Sequence, residues 1–106
     1  MIGVCEETQL RIRVAVYAWA YEVHDDPLVS DAVFDHTARR VDLERSTARP
    51  DLDKWFVANF NPSTGVWVRS HPEPEGLERI YRMLRGLVQI HTTITGNALH
   101  IWLVAA

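Results

Sequence analysis

Cysteine and lysine are almost missing from this 106-residue sequence, which holds one of each. A lone Cys5 excludes a disulfide scaffold and a four-cysteine zinc site within one chain. No basic residue stands near it in sequence to activate the thiol, so Cys5 reads as inert or as part of a fraying terminus. Chemistry built on a reactive amine is confined to Lys54, in DKWF, because the other ten basic side chains are arginines. An excess of charge is lacking too: the formal net charge is −3 and the pI near 5.9. Phosphate backbones demand clustered Lys and Arg, so no direct nucleic-acid binding is expected. No apolar run approaches the roughly 20 residues that span a bilayer, and no membrane partner is expected. The opening MIGVCEETQ has no positive region followed by an apolar core, which argues against a signal peptide and leaves the cytoplasm as the default compartment. Internal repeats and low-complexity segments are absent as well.

What is present fits an ordinary globular protein, at 47% hydrophobic and 24% charged residues. Residues 1–106 read as a single domain, long enough to bury roughly two thirds of the unfolded surface. Leu10, Val14, Tyr17 and Tyr21 recur at helical spacing, which predicts a helix over 6–23, although RIRVAV also alternates like a strand. The Asp26-Pro27 pair should end it. Ser30 is a good N-cap for a second helix, with Asp31 in its first turn and Phe34, Ala38 and Val41 on its apolar face. Pro50 closes the connection, and Asp51 would cap a third helix over 52–60. NPSTG is a turn by composition, and VWVRS reads as a short strand or an extended loop. A fourth helix is expected from 74 or 75 to about 85, with Gly86 as its C-cap. The tail 87–106 is rich in β-branched residues around Thr95-Gly96-Asn97, and suggests a short C-terminal β-hairpin or else a loose apolar tail. The fold class is therefore mainly α: a helical hairpin plus two further helices, with that β-hairpin as an addition.

Acid is concentrated in one place. The stretch YEVHDDPLVSDAVFDH, residues 21–36, holds five carboxylates, two histidines and two aromatics. Asp31 and Asp35 stand four apart on the second helix and so share a face, with Cβ atoms about 5–6 Å apart. A solvated helix start explains this blandly. A binding site for a polar or cationic ligand explains it too, since Tyr17 and Tyr21 would add ring faces worth about 0.5–2 kcal/mol to a cation. His24 with Asp25, Asp26 and Asp31 offers mixed N/O metal ligands but no repeated spacing. His36 beside Asp35 is a weak general-base candidate, because helix neighbours point about 100° apart. His71, His91 and His100 are scattered and read as structural or exposed. Trp19, Trp55, Trp67 and Trp102 are core material first and interface material second.

The order Tyr21-Glu22-Val23-His24-Asp25-Asp26-Pro27, then Ser30-Asp31-Ala32-Val33-Phe34-Asp35, resembles the small N-terminal helical domain of bacterial NAD-dependent DNA ligases. The likeness is close over 17–41 and looser to RPDLDKW, with residues 6–45 as the ligase-like hairpin. It implies recognition of the nicotinamide mononucleotide half of NAD: Tyr21 as a stacking ring, Asp31 and Asp35 as ribose- or amide-binding carboxylates. Glu22 stands where the family has His or Tyr, and Phe34 where it has Tyr, so two hydrogen-bonding groups of the implied site are replaced. The nucleotidyl-transfer K-x-D-G motif and the zinc-finger cysteines are absent, which implies a non-catalytic, stand-alone ligase-related protein of the kind found in phage and mobile elements. Two readings follow. One is an accessory, protein-binding module, with a host factor or a nucleotidyltransferase domain as partner and vestigial nicotinamide-nucleotide recognition through Tyr21, Glu22, Asp31, Phe34 and Asp35. The other is a genuine nicotinamide mononucleotide or NAD module working with a separate adenylation domain. Neither requires a cofactor or a metal, and the sequence carries no signal for oligomeric state.

Overall fold

The computed structural model describes residues 5–94. Its first helix, α1, runs Glu6–His24. Cys5 is its N-cap: in extended backbone, its Sγ accepts the Thr8 N–H at 3.4 Å, and the carboxylates of Glu6 and Glu7 sit in the first turn. This corrects the expectation of a fraying cysteine. The Thr8 hydrogen bond also holds the Cys5 thiol below its ordinary pKa.

Val14, Ala15, Val16, Tyr17 and Ala18 are consecutive and all buried, more than one complete turn. A helix enclosed on every side loses its amphipathic signature. That is why RIRVAV looked ambiguous in sequence. The enclosing elements are α2 (Asp31–Arg39), a 3-10 helix (Val66–Ser70) and α4 (Pro74–Ile94), each packed on α1. The fourth partner of the core is α3 (Pro50–Asn59), which inserts Phe56. Among the described residues there is no strand, and the fold is mainly α as expected.

Asp25 ends α1 in the left-handed conformation, φ 49° and ψ 41°, with its N–H bonded to Tyr21 O and the Asp26 N–H to Ala20 O. Pro27 then forbids any continuation. After it Ser30 caps α2 as expected, its Oγ accepting the Val33 N–H at 3.2 Å. The start of α3 differs from expectation. Pro50 is its first residue, where a missing N–H costs nothing, and Asp51 does not cap but pairs with Arg49 at 2.8 Å.

VWVRS is neither strand nor extended loop. Trp67 and Val68 are adjacent and both buried, whereas a strand would send them to opposite faces; the 3-10 turn brings both inward. Trp67 donates its indole N–H to Thr64 O at 2.6 Å and packs with Trp55, Phe56 and Phe60. Gly86 is not a C-cap either. It lies inside α4 with nothing within 4 Å of where a Cβ would stand, so helical spacing simply continues past it. Residues 87–94 are helical rather than the first arm of a hairpin, and the Thr95-Gly96-Asn97 turn with the rest of that tail lies outside the described residues.

Candidate functional site

The five side chains expected to recognise a nicotinamide nucleotide, Tyr21, Glu22, Asp31, Phe34 and Asp35, line one cleft of about 340 Å³. Two helices, the bend between them and one distant turn build it. Tyr17, Ala18, Tyr21 and Glu22 come from successive turns of α1, and Asp31, Phe34 and Asp35 project from α2 at i, i+3 and i+4. Pro27, Leu28 and Val29 of the intervening bend join them. The remaining side is the turn Pro62, Ser63, Thr64 and Gly65, which sequence reading had taken for a connector only. It reaches the cleft because Gly65 rides directly on α1: a Cβ there would meet Ala18 Cβ at 3.2 Å. Nothing local in NPSTG announces that contact, which spans more than forty residues of chain.

The rings and the acids differ in how they are held. Tyr17 is 5% exposed, and burial pushes its phenol pKa up, so it stays a neutral hydroxyl. Tyr21 is 53% exposed and offers its ring to solvent at the cleft mouth. Asp35 is paired along α2 with Arg39 at 2.9 Å. Glu22 pairs with Arg69 at 3.2 Å, and Arg69 also donates to the Glu22 backbone O at 2.8 Å. Asp31, by contrast, has no ion-pair or hydrogen-bond partner for its side chain among the described residues. The cleft thus joins aromatic faces to one bare and two neutralised carboxylates. Such a surface suits a flat cation with hydroxyl groups.

The bend that forms one wall is anchored from behind by α4. His24 stacks on Tyr81 with ring centres 4.1 Å apart and 11° between planes, and its Nε2 bonds to Glu78 Oε1. Trp19 donates to the same oxygen at 2.8 Å, and Arg82 holds Oε2. The His24, Arg82 and Trp19 hydrogen bonds together hold the Glu78 carboxyl down to about 2. Tyr81 donates its hydroxyl to Asp26, which keeps that carboxyl below its usual range, and Arg85 pairs with the other oxygen at 2.7 Å. These contacts turn His24 and Asp26 away from the cleft. The metal set drawn from His24, Asp25, Asp26 and Asp31 is not assembled, and no group of His, Cys, Asp or Glu able to hold a metal ion occurs among the described residues. His36 is exposed and does not line the cleft, so the general-base pair with Asp35 does not form there. His71 is buried, its pKa lowered by desolvation, with Nδ1 accepting the Glu73 N–H.

A second cavity of about 200 Å³ lies between Ile12, Leu52, Phe56, Leu77 and Ile80, rimmed by Arg49 and Asp53. No helix among the described residues is long and apolar enough to cross a membrane. No family model matches this chain, and neither does any curated protein or solved structure.

Proposed function

We propose that this chain is a non-catalytic cytoplasmic module whose cleft between α1 and α2 takes a flat cationic ligand of the nicotinamide-nucleoside kind, in the manner of the ligase domain it resembles. The observation that carries the reading is the convergence of Tyr17, Tyr21 and Phe34 with Asp31 and Asp35 in a single cleft. A pyridinium ring would stack on Tyr21 or Phe34, and Asp31 would face its charge. Ribose hydroxyls would donate to Asp35, Ser63 or Thr64.

A second reading has its own support. Tyr21 at the cleft is 53% exposed, so a bound small molecule would keep one side in water. Ligand sites usually bury most of their ligand. A partner protein, such as a separate nucleotidyltransferase domain or a host factor, would supply the missing wall. On this reading the cleft is a docking surface with vestigial nucleotide recognition. The deciding experiment is a titration of the chain with nicotinamide mononucleotide, NAD and phosphate-free nicotinamide cations, followed by aromatic chemical shifts. Saturable shifts of Tyr17, Tyr21 and Phe34 are expected, lost in Asp31→Ala. Silence toward the whole series up to about 10 mM, weaker than 3 kcal/mol of binding, would leave the docking reading in its place.

A further inference from the structure

We propose that the cleft selects against phosphate: its preferred ligand is a phosphate-free aromatic cation bearing hydroxyl groups, with nicotinamide riboside as the representative. This rests on the nicotinamide-type reading of the cleft and narrows it. Among the described residues every charged side chain lining the cleft is a carboxylate, namely Glu22, Asp31 and Asp35. Among the described residues no Lys, Arg or His lines it. The two arginines bonded to these acids, Arg39 and Arg69, lie outside the lining, and each neutralises one of them.

A phosphate monoester brings a charge of about −1.5 to −2 at neutral pH. To receive it the cleft would have to take Arg69 from Glu22 or Arg39 from Asp35. Glu22 is the worse donor of the two, because its side chain is only 13% exposed and would be left bare in a half-enclosed cleft. Taking the cation from a carboxylate that is itself largely enclosed is unfavourable, although the Arg69 side of this pair is open to solvent. The alternative is to leave all pairs intact and set the phosphate beside Asp31, which has no cation to screen it. A cationic nucleoside meets neither obstacle. Its ring charge is complementary to Asp31, its ring to Tyr21 and Phe34, and its hydroxyls to groups that accept.

The position of Glu22 makes this a property of the present sequence rather than of the resemblance, since the family pattern has His or Tyr there. Glu22 acts on specificity by engaging Arg69, whose charge would otherwise be available to a phosphate.

The test is calorimetric titration of the intact chain with nicotinamide riboside, nicotinamide mononucleotide and N-methylnicotinamide at one low ionic strength. The riboside should bind about tenfold more tightly than the mononucleotide, the effect of one like charge across a partly solvated cleft. Added salt should narrow the gap by screening it. Glu22→Gln, which removes the carboxylate that Arg69 neutralises and leaves Arg69 held through the residue-22 carbonyl, should bring the two affinities to within about threefold. A mononucleotide that binds as tightly as the riboside to the native chain overturns phosphate exclusion while leaving the nicotinamide reading standing. A gap that Glu22→Gln leaves unchanged overturns the role given to Glu22 and Arg69. Failure of all three probes to bind overturns this proposal and the reading beneath it together.

Discussion

Asp25 is the one non-glycine residue with positive φ among the described residues, and its exposed carboxylate makes no ion pair there. L-residues tolerate that backbone region poorly, with Asp and Asn the milder cases. Asp25→Gly should therefore raise stability by about 0.5–1 kcal/mol, the relief of strain exceeding the extra freedom of glycine in the unfolded chain. A urea midpoint that falls instead would mean the carboxylate does something the backbone argument omits. At this scale much was legible in the sequence. Ser30 as cap, Asp31 in the first turn and the shared face of Asp31, Phe34 and Asp35 follow from spacing alone, because a helix fixes its neighbours within four residues. Glu22 shows the limit. Its partner Arg69 is 47 positions away, and no local pattern couples the two.

Between elements, the strongest tie is a buried arginine. Arg11 of α1 bonds Glu7 at 2.9 Å and Asp53 of α3 at 2.8 Å, and donates to the carbonyls of Asp42 and Arg45 in the segment linking α2 to α3. Its side chain is 6% exposed and that of Glu7 4%. Arg11→Met should cost about 3–5 kcal/mol in chemical denaturation, since it strands a buried Glu7 and two carbonyls. Glu7→Gln added to it should recover part of that loss, and a double variant no more stable than the single would show that packing, not charge, sets the cost. Helix existence was readable from apolar period and from proline, as α2 shows. The misreadings share a cause. VWVRS and the residues after Gly86 were judged on local composition, whereas their conformations were decided by what they pack against or continue from: Trp67 and Val68 both had to enter the aromatic cluster, and α4 had no reason to stop. Lining from the Pro62–Gly65 side was missed because turn residues carry no record of where the chain will dock.

Over the molecule as a whole, acid is the sensitive direction. Asp26, Asp51, Asp53 and Glu78 all have carboxyl pKa values below the ordinary range, Asp26 through Tyr81, Asp51 through Arg49, Asp53 through Thr47 and Glu78 through His24. For Glu78 the fall is from 4.5 to about 2. Within that window the unfolded chain binds more proton than the folded one, so stability rises with pH. The contribution is complete above about 4.5 and disappears as pH drops toward 2. Thermal melts across this range should show the native chain losing stability more steeply than Glu78→Gln. Parallel slopes for the two would assign the acid sensitivity to the other three carboxylates.

One consequence of the anchored bend reaches beyond its own neighbourhood. Pro27, Leu28 and Val29 shape the cleft, yet the posts that hold His24 and Asp26 just before them, Glu78, Tyr81 and Arg85, stand on α4. Occupancy at the front and the setting of the helix at the back are thus linked through the contacts of His24 and Asp26. A molecule in the cleft that shifts the bend acts on α4 only through those contacts, and whatever grips α4 acts back on the cleft by the same coupling free energy.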